Sequence, residues 1–302
     1  MRIASLVPSA TEMLFSLGLG DQVVAVTHEC DHPVRARALP RLTRTALSRE
    51  LSAAEIDEEV KSTLGEGRPL YELDEEVLAS VAPDLIVTQS VCEVCAVSYE
   101  EVLEIARRLP SEPRVLQQDP STLGEVLEDV IRLGEATRLT ERARELRAEL
   151  EGRLALVRTA VAGASLPRVI ALEWLDPPFV GGHWIPEMIS IAGGEDIAGP
   201  PGLKSPEVSW GELSSLNPDV VIAMPCGLYV AESRAQALEH WERIQNLGAS
   251  RVFAVDAAST FSRPGPRLID GVELLGHLLH PTLVEPPGNI GFAEVRSPIR
   301  RR

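Results

Sequence analysis

Two short segments gather the residues best suited to chemistry. Thr27-His28-Glu29-Cys30-Asp31-His32-Pro33 follows the apolar run Val23-Val24-Ala25-Val26, and Gln89-Ser90-Val91-Cys92-Glu93-Val94-Cys95 follows Leu85-Ile86-Val87. Together they supply three thiols and two imidazoles, a donor set that suits zinc or a comparable transition metal. The candidate metal ligands are His28, Cys30, Cys92 and Cys95. The Cys92-x-x-Cys95 spacing also fits a redox pair, as in a thiol oxidoreductase, or two packed thiols, because free Cys is often simply buried. The carboxylates of Glu29, Asp31 and Glu93 blunt thiol reactivity and attract cations, which favours cation or cofactor contact over redox chemistry.

Three further segments offer contacts without an evident reaction. Pro8-Ser9-Ala10-Thr11-Glu12 opens a helix after the first apolar run, so Pro8, Ser9 and Thr11 are candidates for an anionic or hydrogen-bonding group. Ordinary N-capping accounts for the same hydroxyls. Glu173-Trp174-Leu175-Asp176-Pro177-Pro178-Phe179-Val180-Gly181-Gly182-His183-Trp184-Ile185-Pro186-Glu187-Met188 pairs two glycines, which let backbone approach a ligand, with the flat faces of His183 and Trp184. Core packing is the competing role for its Trp residues. Phe261-Ser262-Arg263-Pro264-Gly265-Pro266 precedes the last helix and adds Phe261 and Arg263. Cys226 stands alone and reads as structural.

The elements that must position these residues repeat. Leu78-Ala79-Ser80-Val81-Ala82-Pro83-Asp84-Leu85-Ile86-Val87 returns as Leu213-Ser214-Ser215-Leu216-Asn217-Pro218-Asp219-Val220-Val221-Ile222. Arg2-Ile3-Ala4-Ser5-Leu6 returns as Arg168-Val169-Ile170-Ala171-Leu172, and Val115-Leu116-Gln117-Gln118-Asp119 as Val252-Phe253-Ala254-Val255-Asp256. Each is a short apolar run flanked by helical patterns, as parallel strands covered on both faces require. The fold class expected is α/β, with two Rossmann-like lobes of mainly parallel sheet. Ala143, Leu146, Leu150, Leu154 and Val157 recur at spacings of three and four, which predicts one long, stiff helix from about 140 to 160 joining the lobes. The division expected is residues 1–118 for the first lobe, 119–166 for the helical linker, 167–280 for the second lobe and 281–302 for an extended or disordered tail.

Charge removes several classes of partner. A formal charge of -16 and a pI near 4.9 repel phosphate backbones and anionic lipid, so nucleic acid is not expected. No apolar stretch reaches the roughly 20 residues of a membrane span. The start Arg2-Ile3-Ala4-Ser5-Leu6-Val7-Pro8 reads as a strand and turn, with no signal peptide or lipid-anchor Cys, so a cytoplasmic location is expected of the sequence as it stands. Phosphate loops, G-x-G-x-x-G after a strand, H-E-x-x-H and G-x-S-x-G are absent, so no enzyme is expected.

The motifs Ser5-Leu6-Val7-Pro8-Ser9-Ala10-Thr11-Glu12, Pro83-Asp84-Leu85-Ile86, Asp176-Pro177-Pro178-Phe179, Ala192-Gly193-Gly194 and Phe261-Ser262-Arg263-Pro264-Gly265-Pro266-Arg267 resemble the cobalamin-binding members of the helical-backbone class of periplasmic binding proteins, which feed ABC importers. The resemblance runs from residue 2 to about 280. It implies two lobes on a rigid helix and a corrin held near Pro8, Ser9, Trp184 and Phe261. It also implies docking on a permease through an exposed carboxylate of each lobe, for which Glu100 and Glu212 are the nearest matches. The His28-Glu29-Cys30-Asp31 and Cys92-x-x-Cys95 segments look more like a branch without a signal peptide, for which cytosolic capture, storage or metal handling is the role implied. The full set of candidate ligand contacts is Pro8, Ser9, Thr11, His28, Glu29, Cys30, Cys92, Cys95, His183, Trp184, Glu187, Phe261 and Arg263. The ligand expected is cobalamin or a related corrinoid, with haem, a siderophore or zinc as alternatives.

Overall fold

Both Pro-Asp turns of the repeat fasten a strand in the same way. The Arg2 amide donates to the Asp84 carboxylate at 2.7 Å, and the Arg168 amide donates to that of Asp219 at 2.8 Å. Each guanidinium also caps the helix before the turn, Arg2 through the Val81 carbonyl at 2.8 Å and Arg168 through that of Leu216 at 2.7 Å. Ala82 and Asn217, with φ of 38° and 50°, take the left-handed turn that ends those helices before proline. The computed structural model describes residues 1–45, 51–66, 68–90, 97–288 and 290–296. It separates into two units, Met1–Pro120 with Gly124–Ala148, and Ser121–Leu123 with Glu149–Arg302.

Unit 1 contains β1 (Ile3–Ser5), α1 (Pro8–Ser16), β2 (Val23–Val26), β3 (Thr43–Thr45), α2 (Ala53–Gly65), β4 (Tyr71–Leu73), α3 (Glu75–Val81), β5 (Leu85–Gln89), α4 (Tyr99–Arg108), β6 (Arg114–Gln118) and most of α5 (Leu123–Thr137). Four strands form a parallel sheet in the order β2-β1-β5-β6. The chain leaves β1 for β2 on one side and reaches β5 on the other, so β1 is a topological switch point, where open α/β sheets receive ligands. Strands β3 and β4 make a separate antiparallel ribbon.

The helix α6 (Thr140–Ala160) is continuous through 21 residues, beginning in unit 1 and ending in unit 2. All five residues of its expected apolar face are buried. Unit 2 continues with β7 (Arg168–Leu175), β8 (Pro178–Val180), α7 (Ile185–Ile191), β9 (Glu195–Asp196), α8 (Trp210–Ser214), β10 (Val220–Ala223), α9 (Val230–Glu239), α10 (Trp241–Gln245), β11 (Arg251–Val255), α11 (Ala257–Thr260), α12 (Leu268–Leu279) and β12 (Phe292–Glu294). Its sheet runs β12-β11-β10-β7-β8, with β9 beside β7. The pairings of β7, β10 and β11 are parallel, and β8 and β12 are antiparallel. The three repeated strands are thus neighbours in both sheets, as β1-β5-β6 and as β7-β10-β11. Beyond Pro281 the chain supplies β12, which pairs along β11, and Val295 just after it is buried. No helix among the described residues is long and apolar enough to cross a membrane.

Candidate ligand-binding site

In unit 1 the segments after β1 and β2 meet, but much of their chemistry turns inward. Pro8 sits at the first helical position, where its missing N–H costs nothing, and the N-cap is Val7 without a side-chain bond. Neither Ser9 nor Thr11 therefore caps α1. Both are buried, and Thr11 Oγ1 lies 2.8 Å from Ser5 Oγ and 3.1 Å from Cys30 Sγ. Thr27 Oγ1 also approaches Cys30 Sγ at 3.1 Å, and the thiol residue is only 1% exposed. Arg41 closes the loop through the carbonyls of Thr27 and Cys30, at 2.7 and 2.9 Å. These contacts correct the expectation that Thr11 and Cys30 present their polar atoms to a ligand or metal: in this fold they knit β1, α1 and the loop after β2 together.

His28 is placed differently. Its Nδ1 lies 2.7 Å from Thr43 Oγ1, its ring centroid 5.6 Å from that of Tyr71, and its Nε2 3.2 Å from Glu29 Oε1. The imidazole, the half-exposed Glu29 and the β3–β4 ribbon therefore form one corner at the carboxyl end of β2. Cys92 and Cys95 lie outside the described residues. Among the described residues no three His, Cys, Asp or Glu side chains come together to hold a metal ion.

In unit 2 the corresponding corner is built on glycine. The Gly182 amide donates to Ser205 Oγ at 3.0 Å, and the Ser205 hydroxyl in turn donates to the Glu173 carboxylate. A Cβ on Gly182 would stand 2.3 Å from the Leu203 carbonyl oxygen, so only glycine fits. Burial pushes the Glu173 carboxyl above the ordinary carboxylate range, against the pull of the hydrogen bonds from Ser205 and Gly182. His183 follows with φ of 49°, held by its amide to the Leu203 carbonyl at 2.6 Å and by its carbonyl from the Gly202 amide at 2.9 Å. A non-glycine residue in this region is uncommon and is often found at binding sites.

Trp184 is only 5% exposed, and its indole N–H donates to the Phe261 carbonyl at 2.8 Å. Phe261 is buried as well. Both belong to the interior of unit 2, which corrects the expectation of an open stacking face. The Glu187 carboxylate accepts from the Leu123 amide at 2.9 Å and ties the start of α5 to α7. Arg263 is half-buried in the turn before α12.

Sequence reasoning missed four residues. Thr43 and Tyr71 enter the unit 1 corner on a ribbon of two three-residue strands, too short to leave a periodic signal. Leu203 and Tyr229 are 64% and 41% exposed in unit 2. Tyr229 follows β10, so the same carboxyl-end rule that selected the other segments would have found it.

The two carboxylates expected to dock on a permease are both exposed. Glu212 occupies the third helical position of α8, in a capping box with Ser209, and those bonds hold its carboxyl below the ordinary range. In α4 the N-cap is Ser98, whose Oγ accepts from the Glu101 amide at 3.2 Å. Glu101 thus stands at the third helical position of α4, as Glu212 does in α8, and Glu100 at the second.

Two α/β units with repeated strand order, joined by one uninterrupted helix, define the helix-linked class of two-lobed binding proteins. The chain belongs to the periplasmic binding protein family, which it matches over residues 3–255. It is 23% identical over 275 residues to the vitamin B12-binding protein of Vibrio cholerae serotype O1, covering 90% of this chain and 86% of the other. An uncharacterized ABC transporter substrate-binding lipoprotein of Bacillus subtilis is 23% identical over 292 residues, covering 93% and 80%. A periplasmic heme binding protein from Pseudomonas aeruginosa shares the fold with a TM-score of 0.70 at 19% identity, covering 98% and 99%.

Proposed function

We propose that the chain is a non-catalytic solute-binding protein that captures cobalamin or a related corrinoid and delivers it to an ABC importer. The observation that carries this reading is the set of groups that each unit carries in the segments following its strands. Unit 1 offers Pro8 after β1, His28 and Glu29 after β2 and Tyr71 on the β3–β4 ribbon, and unit 2 offers His183 after β8, Leu203 after β9 and Tyr229 after β10. Each corner combines flat or apolar surface with a few polar groups, the mixture that a large, amide-fringed ring requires. The vitamin B12-binding relative supports the corrinoid. The heme binding protein supports a second reading, haem, which has the same flat, metal-centred form.

Docking on the permease is assigned to Glu100 and Glu212, and the lipoprotein relative and the periplasmic heme binding protein favour delivery at the outer face of a membrane over a cytoplasmic role. Absorption spectra of the purified protein with added cyanocobalamin or hemin test the ligand. A saturable shift with cyanocobalamin supports the corrinoid, a shift with hemin alone selects haem, and no shift with either defeats both.

A further inference from the structure

One neighbour decides which nitrogen of His28 carries hydrogen. Thr43 Oγ1 accepts the His28 amide at 3.2 Å and lies 2.7 Å from Nδ1 of the same residue. A hydroxyl has one proton and two lone pairs, and the amide already uses one lone pair. If Nδ1 also donated, the hydroxyl would accept twice and its own proton would be left without an acceptor. Thr43 is only 4% exposed, and among the described residues Nδ1 is the acceptor in reach of that proton. A buried donor left unmet forfeits its hydration without return, so the hydroxyl donates to Nδ1.

We propose that Thr43 is a positioning residue that holds neutral His28 with its hydrogen on Nε2, so that unit 1 offers the ligand an imidazole N–H donor and not a metal-coordinating lone pair. Two further observations agree. Nε2 is buried, makes no well-formed hydrogen bond among the described residues and lies 3.2 Å from the carboxylate of the half-exposed Glu29, so a ligand acceptor reaches its N–H by taking the place of that carboxylate. The Tyr71 ring, tilted by 34° at 5.6 Å, packs beside the imidazole and restricts its rotation. The group recognised on the ligand is then a hydrogen-bond acceptor, such as a peripheral amide carbonyl or a carboxylate. Coordination of a metal through Nε2 would need the other tautomer and the loss of the Thr43 proton's acceptor. The ligand half of the proposal rests on the function proposed above; the tautomer does not.

The test is nitrogen-15 NMR of the neutral His28 ring in the ligand-free full chain, assigned with His28→Gln, beside cyanocobalamin titrations. Wild type and Thr43→Ser should carry hydrogen on Nε2, and Thr43→Val should shift the population toward Nδ1. Hydrogen on Nδ1 in wild type, or a tautomer unmoved in Thr43→Val, overturns the positioning role. Affinity should fall about five- to tenfold in His28→Ala, as for the loss of one hydrogen bond, and stay within about twofold in Thr43→Ser. Unchanged affinity in His28→Ala, with the expected tautomer, overturns the donor role while the positioning role stands. Failure of wild type to bind cyanocobalamin is a failure of the functional reading, and the ligand-free spectrum still decides the tautomer.

Discussion

Asp129 on α5 keeps one carboxylate oxygen 3.0 Å from the Arg132 guanidinium, while its other oxygen is buried with no hydrogen-bond partner among the described residues. The side chain is 3% exposed. Burial therefore outweighs Arg132, and with repulsion from Asp119 and Glu125 the carboxyl is pushed up from 3.8 to about 7.

A raised carboxyl pKa means that the folded state prefers the protonated form. The stability penalty is absent below 3.8, grows as pH rises and is complete above about 7. Asp129→Asn should then stabilise the protein by on the order of 2–4 kcal/mol at pH 8 and change it little at pH 4. Urea denaturation at both pH values checks this, and an equal effect at the two would remove the ionisation from the explanation.

Trp184 should behave as a core residue. Trp184→Ala is expected to lower stability by about 3–5 kcal/mol, in line with other truncations of large buried rings. Trp184→Phe keeps much of the volume and loses the bond to the Phe261 carbonyl, at about 1–2 kcal/mol. If thermal melts show Trp184→Ala within about 0.5 kcal/mol of wild type, the ring is not packed as described.

The unit 2 corner depends on its glycine. Gly182→Ala should destabilise the protein by at least about 2 kcal/mol, because the new methyl would meet the Leu203 carbonyl and the backbone of 203–205 must move. Gly152→Ala, where a Cβ meets nothing within 4 Å, is the matched control in the middle of α6 and should be neutral or slightly stabilising. Denaturant midpoints of the two variants test the contrast, and equal effects would contradict it.

The two Pro-Asp clamps should be interchangeable in cost. Asp84→Ala and Asp219→Ala each remove a charged acceptor from a strand-opening amide, for an expected loss of about 1–2 kcal/mol apiece. Because the clamps share no partner, the double variant should lose the sum. Chemical denaturation of the three proteins decides it, and a double variant no worse than either single one would show that the sites are coupled.

The repeat that contains these clamps is the most legible feature of the chain. Fully buried parallel strands are continuous apolar runs, so Leu85-Ile86-Val87 and Val220-Val221-Ile222 announce themselves and bring the residues that follow into view. The α6 face is equally plain, since apolar residues at helical spacing from Ala143 to Val157 leave little choice. Side-chain direction at the ends of the strands is not legible in the same way. Cys30 and His28 are close neighbours in one segment, yet the thiol is enclosed by Thr11 and Thr27 while the imidazole is braced by Thr43, 15 residues on. The β12 pairing is hidden too, because an edge strand of three residues carries little pattern of its own and takes its register from a distant partner, Phe253 with Glu294 and Val255 with Phe292.

Whether the chain captures a corrinoid is decided by isothermal titration calorimetry of the full wild-type protein with cyanocobalamin. A dedicated cobalamin carrier should show saturable binding of one ligand per chain, with a Kd below about 1 μM, or roughly -8 kcal/mol. No detectable heat or saturation up to about 1 mM cyanocobalamin, in protein that melts cooperatively, would contradict it.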